Sequence, residues 1–178
     1  MILCDFQIKA EIERGTLKIS PFDESLINPS SLDVRLGNTF SVVVPKYIAV
    51  DPTDHTSFTT TEVAANLYTL KPGHMVLSYL QEYITLPKDI SAKLLGRSSL
   101  GRLGLDNSSC SGWIDPQFSG SIVVELFNHS QHPILLKAGM GIGQLVFFKH
   151  CPAEVGYLDK KTSKYGNQIG CQGSKGVN

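Results

Sequence analysis

Between Gly96 and Leu105 the chain reads Gly-Arg-Ser-Ser-Leu-Gly-Arg-Leu-Gly-Leu, which sets two guanidinium groups, two hydroxyls and three glycines just after an apolar run. Arginine grips phosphate or carboxylate oxygens through paired N–H donors. Neighbouring hydroxyls and exposed backbone amides can complete an anion pocket, and glycine lets a ligand approach the main chain closely. A basic surface turn explains the spacing equally well, so the segment needs context. Downstream, Gly112-Trp113-Ile114-Asp115-Pro116-Gln117-Phe118-Ser119-Gly120 leads into Ser121-Ile122-Val123-Val124-Glu125-Leu126-Phe127-Asn128. In a strand Val123, Glu125 and Phe127 share one face. Partial desolvation between two apolar neighbours suits a carboxylate to proton transfer. The competing reading is a glutamate on a solvent-facing strand, the commoner situation because glutamates are seldom buried unpaired. A nearby arginine such as Arg102 would supply the partner.

Other chemistries lack their residues. Zinc sites draw on several His or Cys ligands, commonly in close pairs, and the sequence has no Cys-x-x-Cys, no His-Glu-x-x-His and no His-x-Glu followed by paired cysteines. The zinc nucleobase deaminases need such a set, which leaves a metal-free deaminase open. His55, His74, His129, His132 and His150 are scattered and read as ordinary loop or surface residues. No Walker-type phosphate loop occurs, and Gly139-Met140-Gly141-Ile142-Gly143 reads more simply as a turn before a strand. Cys4, Cys110, Cys151 and Cys171 are dispersed without a disulfide framework, which points to a reduced, cytosolic protein. Cys110 has no identifiable partner base and is not read as a thiol nucleophile.

The elements that must position these groups are mostly strands. The chain has 178 residues, enough for one domain with a true core, and its 16 basic and 16 acidic side chains balance. That balance argues against nucleic acid as a partner, since backbone binding relies on a basic excess. No apolar stretch is long enough to span a membrane, and no secretory signal is visible. A helix is expected at the start, capped by Asp5, carrying Ile8 and Ile12, with Lys9, Glu11, Glu13 and Arg14 on the wetter face and Gly15 as the stop. Strands are expected at Leu32–Leu36, Phe40–Val44, Met75–Leu80, Ala92–Leu95, Ser121–Phe127, Ile134–Leu136 and Gln144–Phe148, separated by proline and glycine turns. Such punctuation means a mostly β sandwich, jelly roll or barrel. The threonine-rich run from Pro52 to Glu62 reads as a surface loop. Residues 1–158 make a single domain, and residues 159–178 a flexible tail, ordered only when something holds it.

Taken together, the residues resemble the dCTP deaminase family of the dUTPase-like superfamily. The likeness runs from Met1-Ile2-Leu3 through Ile27-Asn28-Pro29-Ser30-Ser31-Leu32-Asp33-Val34-Arg35-Leu36-Gly37 to Lys164-Tyr165, with Gly96–Leu105, Trp113–Gly120 and Glu125 in the family's order and spacing. The resemblance implies a distorted β-barrel or jelly roll of the dUTPase-like type, assembled as a homotrimer with active sites between subunits. It implies metal-free hydrolytic deamination of dCTP at cytosine, with Glu125 as general base, Arg102 as its charge partner and Ser98 positioning the water. Arg97 and Ser99, with Leu100 and Gly101 beside them, would lie near the phosphates. Mg2+ would be bound with the triphosphate, held mainly by its oxygens, with no zinc. Asp115 would meet the sugar and, as in the related triphosphatases, orient a hydrolytic water. The backbone at Val123 and Val124 would read the base, Gln144 would contact the nucleotide, and Tyr157, Lys164 and Gln168 would bind phosphate from a tail that closes as a lid.

Glu125 separates this reading from a plain dUTPase, which usually has an aliphatic residue there. Gly112-Trp113-Ile114-Asp115 looks like the bifunctional, dUMP-forming branch; the strictly deaminating branch more often has His-Arg-Ile-Asp. Cys110-Ser111 stands where the family usually has Thr-Ala, and Asp106-Asn107-Ser108-Ser109 replaces a stretch often carrying histidine. The added oxygen of Ser111 bears on base preference or on one of the two hydrolyses, and a monophosphate or modified cytosine is a weaker option. The alternatives are a deaminase that releases dUTP, a dUTPase that keeps the glutamate unused, and a non-catalytic nucleotide-binding trimer.

Overall fold

A computed structural model describes residues 1–107 and 112–177. The chain opens with helix α1 (Asp5–Glu13). Its cap is Cys4 rather than Asp5: the Gln7 side-chain oxygen turns back to accept from the Cys4 backbone N–H at 3.1 Å and from its Sγ at 3.3 Å. Asp5 is the first helical residue, and its carboxylate accepts from the Phe6 amide at 2.8 Å, a favourable place for negative charge. Ile8 is fully buried, and Gly15 follows the helix at φ +71°, a conformation that costs glycine little.

Glu11 departs from its expected wet face. It is 5% exposed, paired with Arg14 at 2.8 Å and Lys149 at 3.0 Å and hydrogen-bonded by Thr16. Lys149 in turn meets Asp89 at 2.8 Å, so the network ties α1 to the barrel. Burial pushes the Glu11 carboxyl up, but the hydrogen bonds from Thr16 and Lys149 outweigh it and hold the group below its usual value. A depressed carboxyl stabilises the fold above its unfolded value, and that stability is lost as pH falls through the folded one. Glu11→Gln is therefore expected to melt lower at neutral pH, and the gap from wild type should close below about pH 4.5. Thermal melts across that range measure it.

The strands are β1 (Lys18–Ser20), β2 (Ile27–Asn28), β3 (Ser31–Arg35), β4 (Thr39–Pro45), β5 (Phe58–Ala64), β6 (Leu67–Leu70), β7 (Met75–Thr85), β8 (Ile90–Gly96), β9 (Leu105–Asp106), β10 (Trp113–Ile114), β11 (Ser119–Asn128), β12 (Ile134–Lys137) and β13 (Gly141–Lys149), with a four-residue helix α2 (Ser98–Gly101) after β8. One sheet runs β5-β4-β7-β11-β9, with β1 also on β7; a second runs β10-β8-β13-β3-β2; β12 and β6 form a small third. These strands pair antiparallel. Alternate residues of β11 and β13 (Val124, Leu126, Leu145 and Phe147) are fully buried in one shared core. This is the mostly β architecture that the alternation predicts.

All seven expected strands form, several of them longer than expected. Six more were not anticipated: β1, β2, β5, β6, β9 and β10. The last part of the Pro52–Glu62 run belongs to β5, which among the described residues pairs only with β4. An edge strand with a wet face takes threonine and glutamate readily, so its composition mimics a loop. The segment after Asp159 is held here by its own chain. The Asn167 amide donates to the Ser119 carbonyl at 2.6 Å, Ser121 N–H to the Gln168 carbonyl at 2.9 Å, and the Gln168 side-chain amide to the Ser121 carbonyl at 2.7 Å. Gln168 and Cys171 are buried. No described helix is long and apolar enough to cross a membrane.

Candidate active site

Strand β11 presents its two faces to different worlds. Val124 and Leu126 enter the core, whereas Val123, Glu125 and Phe127 share the opposite, half-buried face, as their alternation predicts. Glu125 stands opposite Leu77 of β7 and Phe127 opposite Met75. The β7–β11 register slips between Ser121 and Val123, where the Ser121 main chain turns to Gln168 instead. The irregularity thus docks the C-terminal segment beside Glu125.

A cleft of about 420 Å³ opens over this face, within the size range of small-molecule sites. It brings Glu125, Val123, Asp115, Tyr157 and Gln168 together, all chosen from sequence. Asp115 is half-buried, and its Oδ1 accepts from the Trp113 indole at 3.2 Å. Tyr157 packs edge-on against Phe118 with ring centroids 5.4 Å apart, and its hydroxyl accepts from the Tyr165 amide at 3.0 Å. The cleft therefore has an apolar and aromatic lining with two carboxylates. Val124, also chosen from sequence, does not line the cleft, since its side chain is in the core.

The basic segment lies elsewhere. Arg97 caps α2, and Ser98, Ser99, Gly101 and Arg102 are exposed along it, with Leu100 half-buried. Arg97, Ser98 and Gly101 border a separate depression of about 470 Å³, together with Asp106, Asn107 and His129. The Arg97 guanidinium reaches Asp33 at 3.4 Å. His129 Nε2 lies 3.6 Å from an Asp106 oxygen, and its ring packs on Phe127 with centroids 4.4 Å apart. Gly104 has φ +85°, and a Cβ there would come within 2.9 Å of Ser130, so only glycine closes this turn without strain. Gln144 is bonded to Ser31, whose hydroxyl donates to its Oε1 at 2.9 Å. Lys164 donates to the Gly176 carbonyl at 2.7 Å. Among the described residues, no ion pair joins Arg102 to Glu125 within the chain.

Some of the lining escaped sequence reasoning. Val43, Met75 and Leu77 come from distant strands, and Tyr165 and Gln172–Ser174 from the C-terminal segment. Only the register of β4, β7 and β11 brings the first three together, and no local pattern signals that. The Trp113–Asp115 bond was legible in principle, since residues two apart in an extended segment share a side. Ser108, Ser109, Cys110 and Ser111 lie outside the described residues. Among the described residues, no three His, Cys, Asp or Glu side chains gather where they could hold a metal ion.

Comparison with known proteins agrees with this geometry. A family model described as DCD, dCTP deaminase-like, matches residues 2–150. A protein of Methanosphaerula palustris named "dCTP deaminase, dUMP-forming" is 44% identical over 170 residues, covering 94% of this chain and 91% of the relative. One of the same name from Mycolicibacterium vanbaalenii is 45% identical over 176 residues, covering 96% and 93%. The crystal structure of 2'-deoxycytidine 5'-triphosphate deaminase from Agrobacterium tumefaciens superposes with a TM-score of 0.64 at 26% identity, over 82% of this chain. The match spans about half of that longer protein, 47% of its length. A half-buried glutamate on the outward face of β11, an aspartate lining the same cleft and a family match over most of the residues lead to one conclusion: this chain belongs to the dCTP deaminase-like family.

Proposed function

We propose that the chain is a dUMP-forming dCTP deaminase, which converts dCTP and two waters to dUMP, ammonia and diphosphate. The observation that carries the reading is Glu125, held at the cleft by β11 with Asp115 lining the same cleft. In the first hydrolysis water adds to C4 of cytosine, Glu125 taking a water proton and passing it to N3. A second proton then moves from the new hydroxyl to the amino nitrogen, the C4–N bond breaks and ammonia leaves. The main chain at Val123 and Val124 reads the pyrimidine edge. In the second hydrolysis Asp115 meets the sugar and orients the water that attacks the α-phosphorus.

The basic half of the site comes from a neighbouring subunit. One chain carries two separate depressions, one with the acids and one with Arg97 and Ser98. Closed rotational symmetry lets the second face of one copy complete the first face of the next, which supports a homotrimer with sites between subunits. There Arg102 meets Glu125, Ser98 helps place the water, and Arg97, Ser99 and the α2 main chain at Leu100 and Gly101 face the phosphates. Gln144 adds a nucleotide contact. Tyr157, Lys164 and Gln168 belong to the segment that closes over the triphosphate, with Lys164 leaving its Gly176 carbonyl for phosphate. Mg2+ travels with the triphosphate, whose oxygens are its preferred ligands. A reducing, cytosolic setting fits the free Cys4, Cys151 and Cys171.

Product analysis tests the reading. Incubated with dCTP and magnesium, the protein is expected to form dUMP and diphosphate. Accumulation of dUTP as the end product would overturn the second hydrolysis, and binding without turnover would leave only a nucleotide sensor. Ser111, in place of the family's alanine, favours a second reading in which base preference is shifted; kinetics on cytosine mono-, di- and triphosphates decide it.

A further inference from the structure

The single tryptophan of the chain, Trp113, stands at the lip of the cleft with a role the scheme above leaves unassigned. Its indole N–H donates to Asp115 Oδ1 at 3.2 Å. That is the one side-chain hydrogen bond to the Asp115 carboxylate among the described residues, and it leaves the second oxygen for a ligand. The indole is itself oriented: Trp113 pairs with Lys93 of β8, and its ring lies against Phe148 of β13 with centroids 5.5 Å apart. Yet Trp113 is 55% exposed, so core packing does not account for a large aromatic side chain here.

We propose that Trp113 is the positioning residue for the phosphate-cleaving half of the reaction, fixing the Asp115 carboxylate through its indole N–H. The inference rests on the dUMP-forming reading. In that step a water oxygen forms a bond to the α-phosphorus of dUTP, and the bond from α-phosphorus to the bridging oxygen breaks. Diphosphate leaves with the bonding pair, and the water's proton passes to the Asp115 carboxylate and on to solvent. A carboxylate that rotates freely spends little time aimed at that water, and misplacement of this kind costs about a hundredfold in rate. Deamination draws its proton transfers from Glu125, so the two hydrolyses should respond unequally to loss of the indole donor.

The test uses the full-length protein with dCTP and dUTP as separate substrates. Trp113→Phe keeps an aromatic ring against Phe148 and removes the donor. Because the tryptophan is unique, biosynthetic replacement by benzothienylalanine removes the same N–H with the bicyclic shape retained, should the phenylalanine variant fold poorly. For both, kcat for dUTP cleavage is expected to fall about 10- to 100-fold with KM for dUTP within about threefold. dUTP should then build up transiently from dCTP. Wild-type dUTP cleavage in the benzothienylalanine protein overturns the proposal, as does an equal fall in both hydrolyses, the mark of a purely structural role. Asp115→Asn run in parallel separates the failures. If it cleaves dUTP normally, the assignment of Asp115 fails and this inference with it; if it is inactive while the indole-free protein is normal, only the inference fails.

Discussion

Glu125→Gln is expected to lower dCTP deamination by about 10²- to 10⁴-fold, the usual worth of a positioned proton-transfer group. The substitution keeps size and hydrogen-bonding capacity but cannot take a proton from water. The neighbouring Val124 and Leu126 hold β11 in the core irrespective of this side chain, so folding and assembly should persist. Nucleotide binding should persist too, because the phosphates are held by the basic half-site. The variant should still cleave dUTP, since that step draws on Asp115. Steady-state assays on both substrates make the comparison internal: loss of deamination with retained dUTP cleavage separates a missing base from a damaged site. Undiminished deamination by the purified variant would remove Glu125 as the base.

The second large effect is recovery of activity by mixing. Arg102→Ala alone should be nearly inactive in deamination, because Glu125 loses its charge partner, and Glu125→Gln alone should be inactive for want of a base. When the two chains are co-expressed in equal amounts, some interfaces join an intact Arg102 from one chain to an intact Glu125 from the next. Random assembly makes that about a quarter of the sites, and deamination should recover to about that share of wild type. A site built within one chain would give no recovery, since each chain lacks one of the two residues. The prediction follows from the structure's placement of Arg102 at the C-terminal end of α2 and Glu125 on β11, with no ion pair between them in one chain among the described residues. Activity of the mixture, measured against the sum of the separate variants, decides between the two arrangements.

Local rules carried much of this. The alternation of apolar and polar residues in Ser121–Phe127 set Val123, Glu125 and Phe127 on one face, because a strand's side chains can point only two ways. Glycine and proline marked turns such as Gly139, at φ +78°, for the same local reason. Where the rules misled, a partner distant in sequence was responsible. Glu11 is buried because Lys149, at the far end of the chain and itself held by Asp89, supplies the opposite charge that makes burial tolerable. The threonines of β5 looked like a loop because, among the described residues, only one of the strand's edges is paired.

For the site, chemistry was written in residue types and its assembly was not. Two arginines and two serines near glycines, an aspartate after Trp113 and a glutamate amid valines could be chosen from their order along the chain. That the acids share one cleft while the arginine-bearing turn faces another was decided by the register of β7 on β11 and by the turn through α2. The same register brings Leu77 and Met75 opposite Glu125 and Phe127, and a slip in it opens the main chain of Ser121 to Gln168. Side-chain periodicity is a property of a few neighbouring residues and survives in the sequence; the meeting of distant strands depends on the packing of the whole core, which no short stretch encodes.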